Sequence, residues 1–196
     1  MSWVGERRMI ARITWLSAIA LASWLLTVQG GTPAPASPSA PVAGCAGRSI
    51  GTFKHVVGDR ATLTVGPLMV VGGAAAARVS ARELRRFGGW KLPVLVRPGH
   101  RVTIVIASTP ANRASMRYRF KRDGSGAGPD RATTFVACAR SVRHDSRADG
   151  RQVTFWSGFF TARRYPVCIP LEVSVDGETT PRHVVLSLGA GRCAGA

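Results

Sequence analysis

Past residue 60 the apolar residues of this chain come in short runs separated by turn residues, and that spacing restricts the fold more than any other feature. Residues 61–65 alternate apolar and polar before Gly66-Pro67, and residues 68–71 resume the run. Residues 92–96 lead into the turn Arg97-Pro98-Gly99-His100, after which residues 101–107 are again largely apolar, the pattern of a strand pair. Met116, Tyr118 and Phe120 alternate with Arg117, Arg119 and Lys121. Successive strand side chains point to opposite sides, so this stretch has one apolar and one basic face. Residues 133–139, 152–156, 167–175 and 183–188 complete the set. About eight short strands predict a mainly β domain over residues 45–196, an antiparallel β-sandwich of immunoglobulin-like or jelly-roll type. One short helix is signalled inside it. Ser80-Ala81-Arg82-Glu83 is a capping box, Val79 and Leu84 occupy the hydrophobic-staple positions, and Gly88 suits the C-terminal cap, which predicts a helix over 81–87.

The segment ahead of the domain is of a different kind. Arg7, Arg8 and Arg12 form a basic region before Ile13 to Val28, 16 residues without a charge. As a helix these span ~24 Å against a hydrocarbon core of ~30 Å, so length does not separate a signal peptide from a membrane anchor. Small-x-small sites at Val28-Gln29-Gly30 and Ala34-Pro35-Ala36 favour cleavage, and Trp15 and Trp24 near the two ends favour an anchor. Residues 1–30 are therefore read as one or the other, with residues 10–30 contacting the membrane if uncleaved. Both readings leave the arginines inside and export the chain beyond residue 30. Residues 31–44 carry Pro33, Pro35, Pro38 and Pro41 among small residues and read as a disordered linker. Val42-Ala43-Gly44-Cys45 resembles a lipobox, but 16 residues separate Cys45 from the apolar run, so Cys45 is read as structural.

The other cysteines are Cys138, Cys168 and Cys193, without metal-ligand spacing, and no metal or cofactor is expected. An even count in an exported chain points to two disulfides, and the expected pairs are Cys138–Cys168 and Cys45–Cys193. His55, His100, His144 and His183 are scattered and read as ordinary surface or half-buried histidines. His144, Asp145, Ser146 and Asp149 are the residue types of a hydrolytic triad, but neighbours in sequence seldom converge. A secreted hydrolase with a site near His144 and Asp145 is the alternative function from this stretch. No nucleophile elbow, P-loop or dinucleotide fingerprint is present.

Charge is the remaining signal. The domain holds 24 basic and 9 acidic residues, and 24 of the chain's 27 basic residues are arginine. That skew reads first as the codon bias of a GC-rich genome, and second as a field that attracts anionic polymers or lipid headgroups. Arg117, Arg119, Lys121, Arg163 and Arg164 are the expected polymer contacts; export sets nucleic acid aside. Phe155-Trp156-Ser157-Gly158-Phe159-Phe160 is a candidate carbohydrate-stacking platform, with core packing the stronger reading. Gly66-Pro67-Leu68, residues 91–99 (KLPVLVRPG), Phe155 to Phe159 and Cys168-Ile169-Pro170-Leu171-Glu172-Val173 resemble uncharacterised exported β-domain proteins of GC-rich Gram-positive bacteria. The resemblance implies an extracytoplasmic, disulfide-bearing β domain and supplies no catalytic residue. The expected function is a non-enzymatic cell-envelope module, structural or binding an anionic surface polymer.

Overall fold

In the computed structural model, which describes residues 40–107, 113–119, 128–140 and 146–194, the short apolar runs are strands joined by glycine-bearing turns. In chain order these are β1 (Val42–Ala43), β2 (Thr52–Phe53), β3 (Leu63–Val65), β4 (Leu68–Val70), the helix α1 (Ala81–Phe87), β5 (Trp90–Lys91), β6 (Val94–Val96) and β7 (Arg101–Ile106). The second half supplies β8 (Ser115–Arg117), β9 (Ala132–Val136), β10 (Arg147–Ala148), β11 (Arg151–Gln152), β12 (Thr154–Trp156), β13 (Phe159–Thr161), β14 (Val167–Val175) and β15 (Arg182–Leu188). The fold is mainly β, as expected. A five-stranded sheet runs β1-β9-β7-β14-β15 and a four-stranded sheet β12-β6-β4-β3. Two three-stranded sheets, β5-β13-β8 and β11-β10-β2, complete the described residues. Pairing is antiparallel except where β1 meets β9 and β2 meets β10.

The turn at 97–100 corrects the strand-pair reading. Gly99 takes φ +78 and His100 N–H bonds Arg97 O at 3.3 Å, so a turn forms where expected. Yet β6 pairs with β4 and β12, while β7 pairs with β9 and β14, so the chain passes from one sheet to another. The reason is in the side chains. Val94, Leu95 and Val96 are all buried, so β6 needs cover on both faces, whereas β7 buries only Val102, Ile104 and Ile106.

One large core takes the inward residues of β7, β14 and β15 together with Val65, Leu68, Val70, Val94 and Val96 from the four-stranded sheet. Phe135 anchors it, with the rings of Tyr118 and Trp156 edge-on, each at 5.2 Å. Each such side chain contributes ~1.5–3 kcal/mol by leaving water. A second, smaller core of Val56, Met69, Leu95, Ala148, Val153 and Phe155 lies on the other side of the four-stranded sheet. The helix forms as its capping box dictates. Ser80 Oγ accepts from Glu83 N–H at 3.1 Å, Glu83 Oε2 accepts from Ser80 N–H at 3.3 Å, and Gly88 closes it at φ +66. Leu84 is its fully buried contact.

All four cysteines form disulfides, but the pairs are Cys45–Cys138 and Cys168–Cys193. Neither expected pair forms. In the parallel register Val42 lies opposite Thr134 and Ala43 opposite Phe135, so the two chains advance together and bring Cys45 alongside Cys138. Cys168 faces Ser187 on β15, and turns at Gly189 and Gly191, both at positive φ, carry Cys193 back over it. Bonded to Cys138, Cys45 is a structural cysteine. The fold also begins earlier than the linker composition suggests: Thr134 N–H bonds Pro41 O, and β1 is already a sheet strand. Residues 1–39, with the apolar segment and most of the linker, lie outside the described residues. Among the described residues no helix is long and apolar enough to cross a membrane.

Candidate anion-binding face

The sheet β5-β13-β8 is built from pieces of two or three residues, and its register decides what reaches solvent. Phe160 lies opposite Trp90 on one side and Met116 on the other; Phe159 lies opposite Lys91 and Arg117. Phe160 and Met116 are fully buried, so the alternate row, Lys91–Phe159–Arg117, is turned outward. Lys91 and Arg117 are exposed and Phe159 is half-buried. Farther along the same face, Ser115 Oγ and Thr161 Oγ1 share a hydrogen bond of 2.7 Å.

Beside this row, Phe87, Gly89, Trp90, Lys91 and Phe159 line an open cavity of about 380 Å³. Phe87, the last residue of α1, is 61% exposed, and the Arg86 guanidinium lies 5.6 Å from its ring centre. Gly89 takes φ +154, and a Cβ there would stand 2.6 Å from Phe160 O. Only glycine lets the chain cross β13 so closely and bring the end of the helix beside the aromatic row. Arg85 Nη1 donates to Tyr165 O at 3.3 Å, which places the helix end beside the bend carrying Arg163 and Arg164. Both of those arginines are exposed.

Among the described residues no ion pair engages Lys91, Arg117, Arg163 or Arg164. The ion pairs among the described residues are Arg101–Asp176, Arg119–Asp130 and Arg182–Glu178. The second corrects the expected basic strand. β8 ends at Arg117, and Arg119 forks onto Asp130 at 3.0 and 2.9 Å, so its charge is already answered. That side-chain hydrogen bond holds the Arg119 pKa above its ordinary value. Lys121 lies outside the described residues. Of the five expected contacts, Arg117, Arg163 and Arg164 are exposed and make no ion pair among the described residues, and Lys91 shares these properties. Sequence reading misses Lys91 because a two-residue strand has no period to detect.

The aromatic string divides as its burial requires. Phe155, Trp156 and Phe160 are core residues, and Phe159 alone faces outward, where Phe87 and Trp90 from distant sequence join it. The triad-like stretch also resolves in part. Ser146 is 2% exposed, accepts from Gly51 N–H at 3.2 Å and donates to Ser49 O at 3.1 Å, which makes it a backbone clamp. Asp149 accepts from the backbone N–H groups of His55, Val56 and Val57. His144 and Asp145 lie outside the described residues. His183 is exposed on β15 opposite Glu172, and His100 closes the turn at 97–100. Among the described residues no group of three or more His, Cys, Asp or Glu side chains is placed to hold a metal ion. No protein-family model matches this chain, and no curated protein matches it.

Proposed function

We propose that the chain is exported and that its β domain is a non-enzymatic module of the cell envelope, secreted or held at the membrane, which binds an anionic surface polymer on the Lys91–Phe159–Arg117 face. The observation behind this reading is the cross-strand row itself, two cations, unpaired among the described residues, flanking an aromatic ring. Neighbouring strands are ~4.8 Å apart, so the two cations are rooted ~10 Å from each other across Phe159. That spacing suits a polymer whose sugar or polyol unit packs on the ring while phosphates or carboxylates to either side meet Lys91 and Arg117. The excess of arginine over acid across the domain adds long-range attraction for such a polymer. Two disulfides suit an oxidising compartment, in keeping with export. As the finer architecture we propose an immunoglobulin-like or jelly-roll sandwich, with the five- and four-stranded sheets as its two layers, because both feed one core.

Binding of the purified protein to a polyol-phosphate wall polymer, titrated between about 50 and 200 mM salt, tests the reading. The affinity of the unaltered protein falls steeply with salt. In the pair Lys91→Gln/Arg117→Gln the log–log slope drops by about 2, one per cation removed. Phe159→Ala weakens binding with little change of slope. Arg119→Gln leaves the slope in place, since Asp130 already answers that charge. An unchanged slope in the Lys91/Arg117 pair would remove this face from the mechanism.

A further inference from the structure

We infer that the domain carries a second, separate site: a pocket for the phosphate group of a small organic phosphate, made by Arg97, Arg140 and Arg151 over an apolar floor. The pocket is a cavity of about 360 Å³ at the open edge of the smaller core. Met69, Ala148 and Val153, all buried, form its floor, and the three arginines, all exposed, form its rim with Gln152.

Separate elements bring the rim together, and the backbone holds each in place. Arg97 opens the turn between β6 and β7, where its N–H bonds Pro67 O at 3.1 Å. Arg140 follows Cys138, whose carbonyl accepts from Gly99 N–H at 3.0 Å, so the Arg97 and Arg140 turns are tied to each other. Cys138 is fixed a second time by its N–H to Thr154 Oγ1 at 2.9 Å and a third time by the bond to Cys45. Arg151 is the first residue after the two-residue turn Asp149-Gly150, whose φ values of +47 and +76 are those of a tight hairpin.

Three guanidinium groups bordering one small cavity repel one another unless something negative lies between them. None of the described acids lines the pocket. Asp149, the nearest in sequence, is committed to the backbone of residues 55–57, while Asp130, Asp176 and Glu178 are paired with other arginines. No hydrogen bond or ion pair between described residues engages the side chain of Arg97, Arg140 or Arg151. Among the described residues no side chain pairs with these three, and an anionic ligand is the partner that suits them. A planar guanidinium forks onto two oxygens of one anion, and three of them suit a tetrahedral group with several oxygens better than a single carboxylate. The volume is at the small end for ligand pockets and the floor is apolar, so the phosphate carries a short carbon-bearing arm that lies on Met69 and Val153. A free metabolite phosphate and a lipid headgroup share that chemistry.

Calorimetric titration of the purified protein with glycerol 3-phosphate, inorganic phosphate and acetate tests the assignment. The expected order is glycerol phosphate, then phosphate, then acetate. Arg97→Gln, Arg140→Gln and Arg151→Gln each weaken the first by tenfold or more, Arg151→Lys weakens it less, and Arg82→Gln, exposed on α1, leaves it unchanged. Vesicles of phosphatidylglycerol in phosphatidylcholine locate the source. Competition with glycerol phosphate that the Arg151→Gln variant loses assigns a lipid headgroup, and its absence assigns a soluble phosphate; both outcomes keep the pocket. Acetate binding as tightly as phosphate, affinity surviving in all three single variants, or no saturable binding by any probe would overturn it. The three side chains are exposed, so the variants are expected to fold, and circular dichroism verifies this. Loss of the polymer slope in the Lys91/Arg117 pair with phosphate binding intact distinguishes failure of one site from failure of the other.

Discussion

Asp149 illustrates how one side chain can close a long-range connection. Its carboxylate accepts from the N–H groups of Val57, Val56 and His55, about ninety residues away, while its own φ of +47 turns the chain into β11. These bonds, Val57's foremost, outweigh its desolvation and hold its pKa below the usual carboxylate value. The charged form is thus favoured in the folded state. Stability from this group is complete above the unfolded pKa of about 3.9 and is lost as pH falls through the lowered folded value. Asp149→Ala is expected to lower Tm at neutral pH and to flatten the fall of Tm below about pH 4. Parallel Tm curves for variant and wild type would show that the carboxylate contributes nothing to the acid transition. In the sequence this residue stands out only as a triad type. Its real task depends on where residues 55–57 lie, which no local pattern encodes.

At the scale of elements, α1 and the β5-β13-β8 sheet are opposites. The helix is fully legible in the sequence, because Ser80, Glu83, Leu84 and Gly88 act on neighbours within a few residues and the bonds they signal are the bonds that form. Of the sheet only β8 is legible, through the alternation of Met116 and Arg117, while β5 and β13 are not. Trp90–Lys91 is a strand only because Phe159 and Phe160 lie beside it, and the close crossing at Gly89 makes that possible. Gly89→Ala places a Cβ against Phe160 O in a conformation side chains avoid, and is expected to cost about 1–3 kcal/mol. Chemical denaturation measures it, with Gly47→Ala as a comparator where a Cβ meets nothing within 4 Å. Equal effects at the two positions would refute the close-contact account. Polymer affinity should fall in Gly89→Ala with Lys91 and Arg117 untouched, since their register depends on that crossing.

For the whole molecule, the two disulfides divide the work unequally. Cys45–Cys138 closes a separation of 93 residues and clamps the start of the fold to the far end of β9, whereas Cys168–Cys193 closes 25 and pins the C-terminal segment over β14. Longer loops lose more entropy in the unfolded chain when closed. On that account removing the first bond costs ~4–5 kcal/mol and the second ~3–4 kcal/mol. Unfolding of Cys45→Ser/Cys138→Ser against Cys168→Ser/Cys193→Ser measures the order, and non-reducing peptide mapping verifies the pairs. The larger loss should come with weaker phosphate binding, because Cys138 also positions the turn that carries Arg140.

Features that depend on neighbours along the chain are the ones the sequence determines unaided. Period-two burial in β7 and β14, the turn at 97–100 and the capped helix rest on steric and hydrogen-bonding rules that act over a few residues. The tertiary structure decides the rest. It determines which sheet β6 and β7 each join, which cysteine meets which, and which cations stay unpaired. Arg117 and Arg119 look alike in sequence, yet one faces solvent and the other forks onto Asp130, eleven residues on. Pairing of charges, like pairing of strands, is set by distance in space. Two short parallel contacts, β1 with β9 and β2 with β10, bring together segments about ninety residues apart, and nothing local announces them.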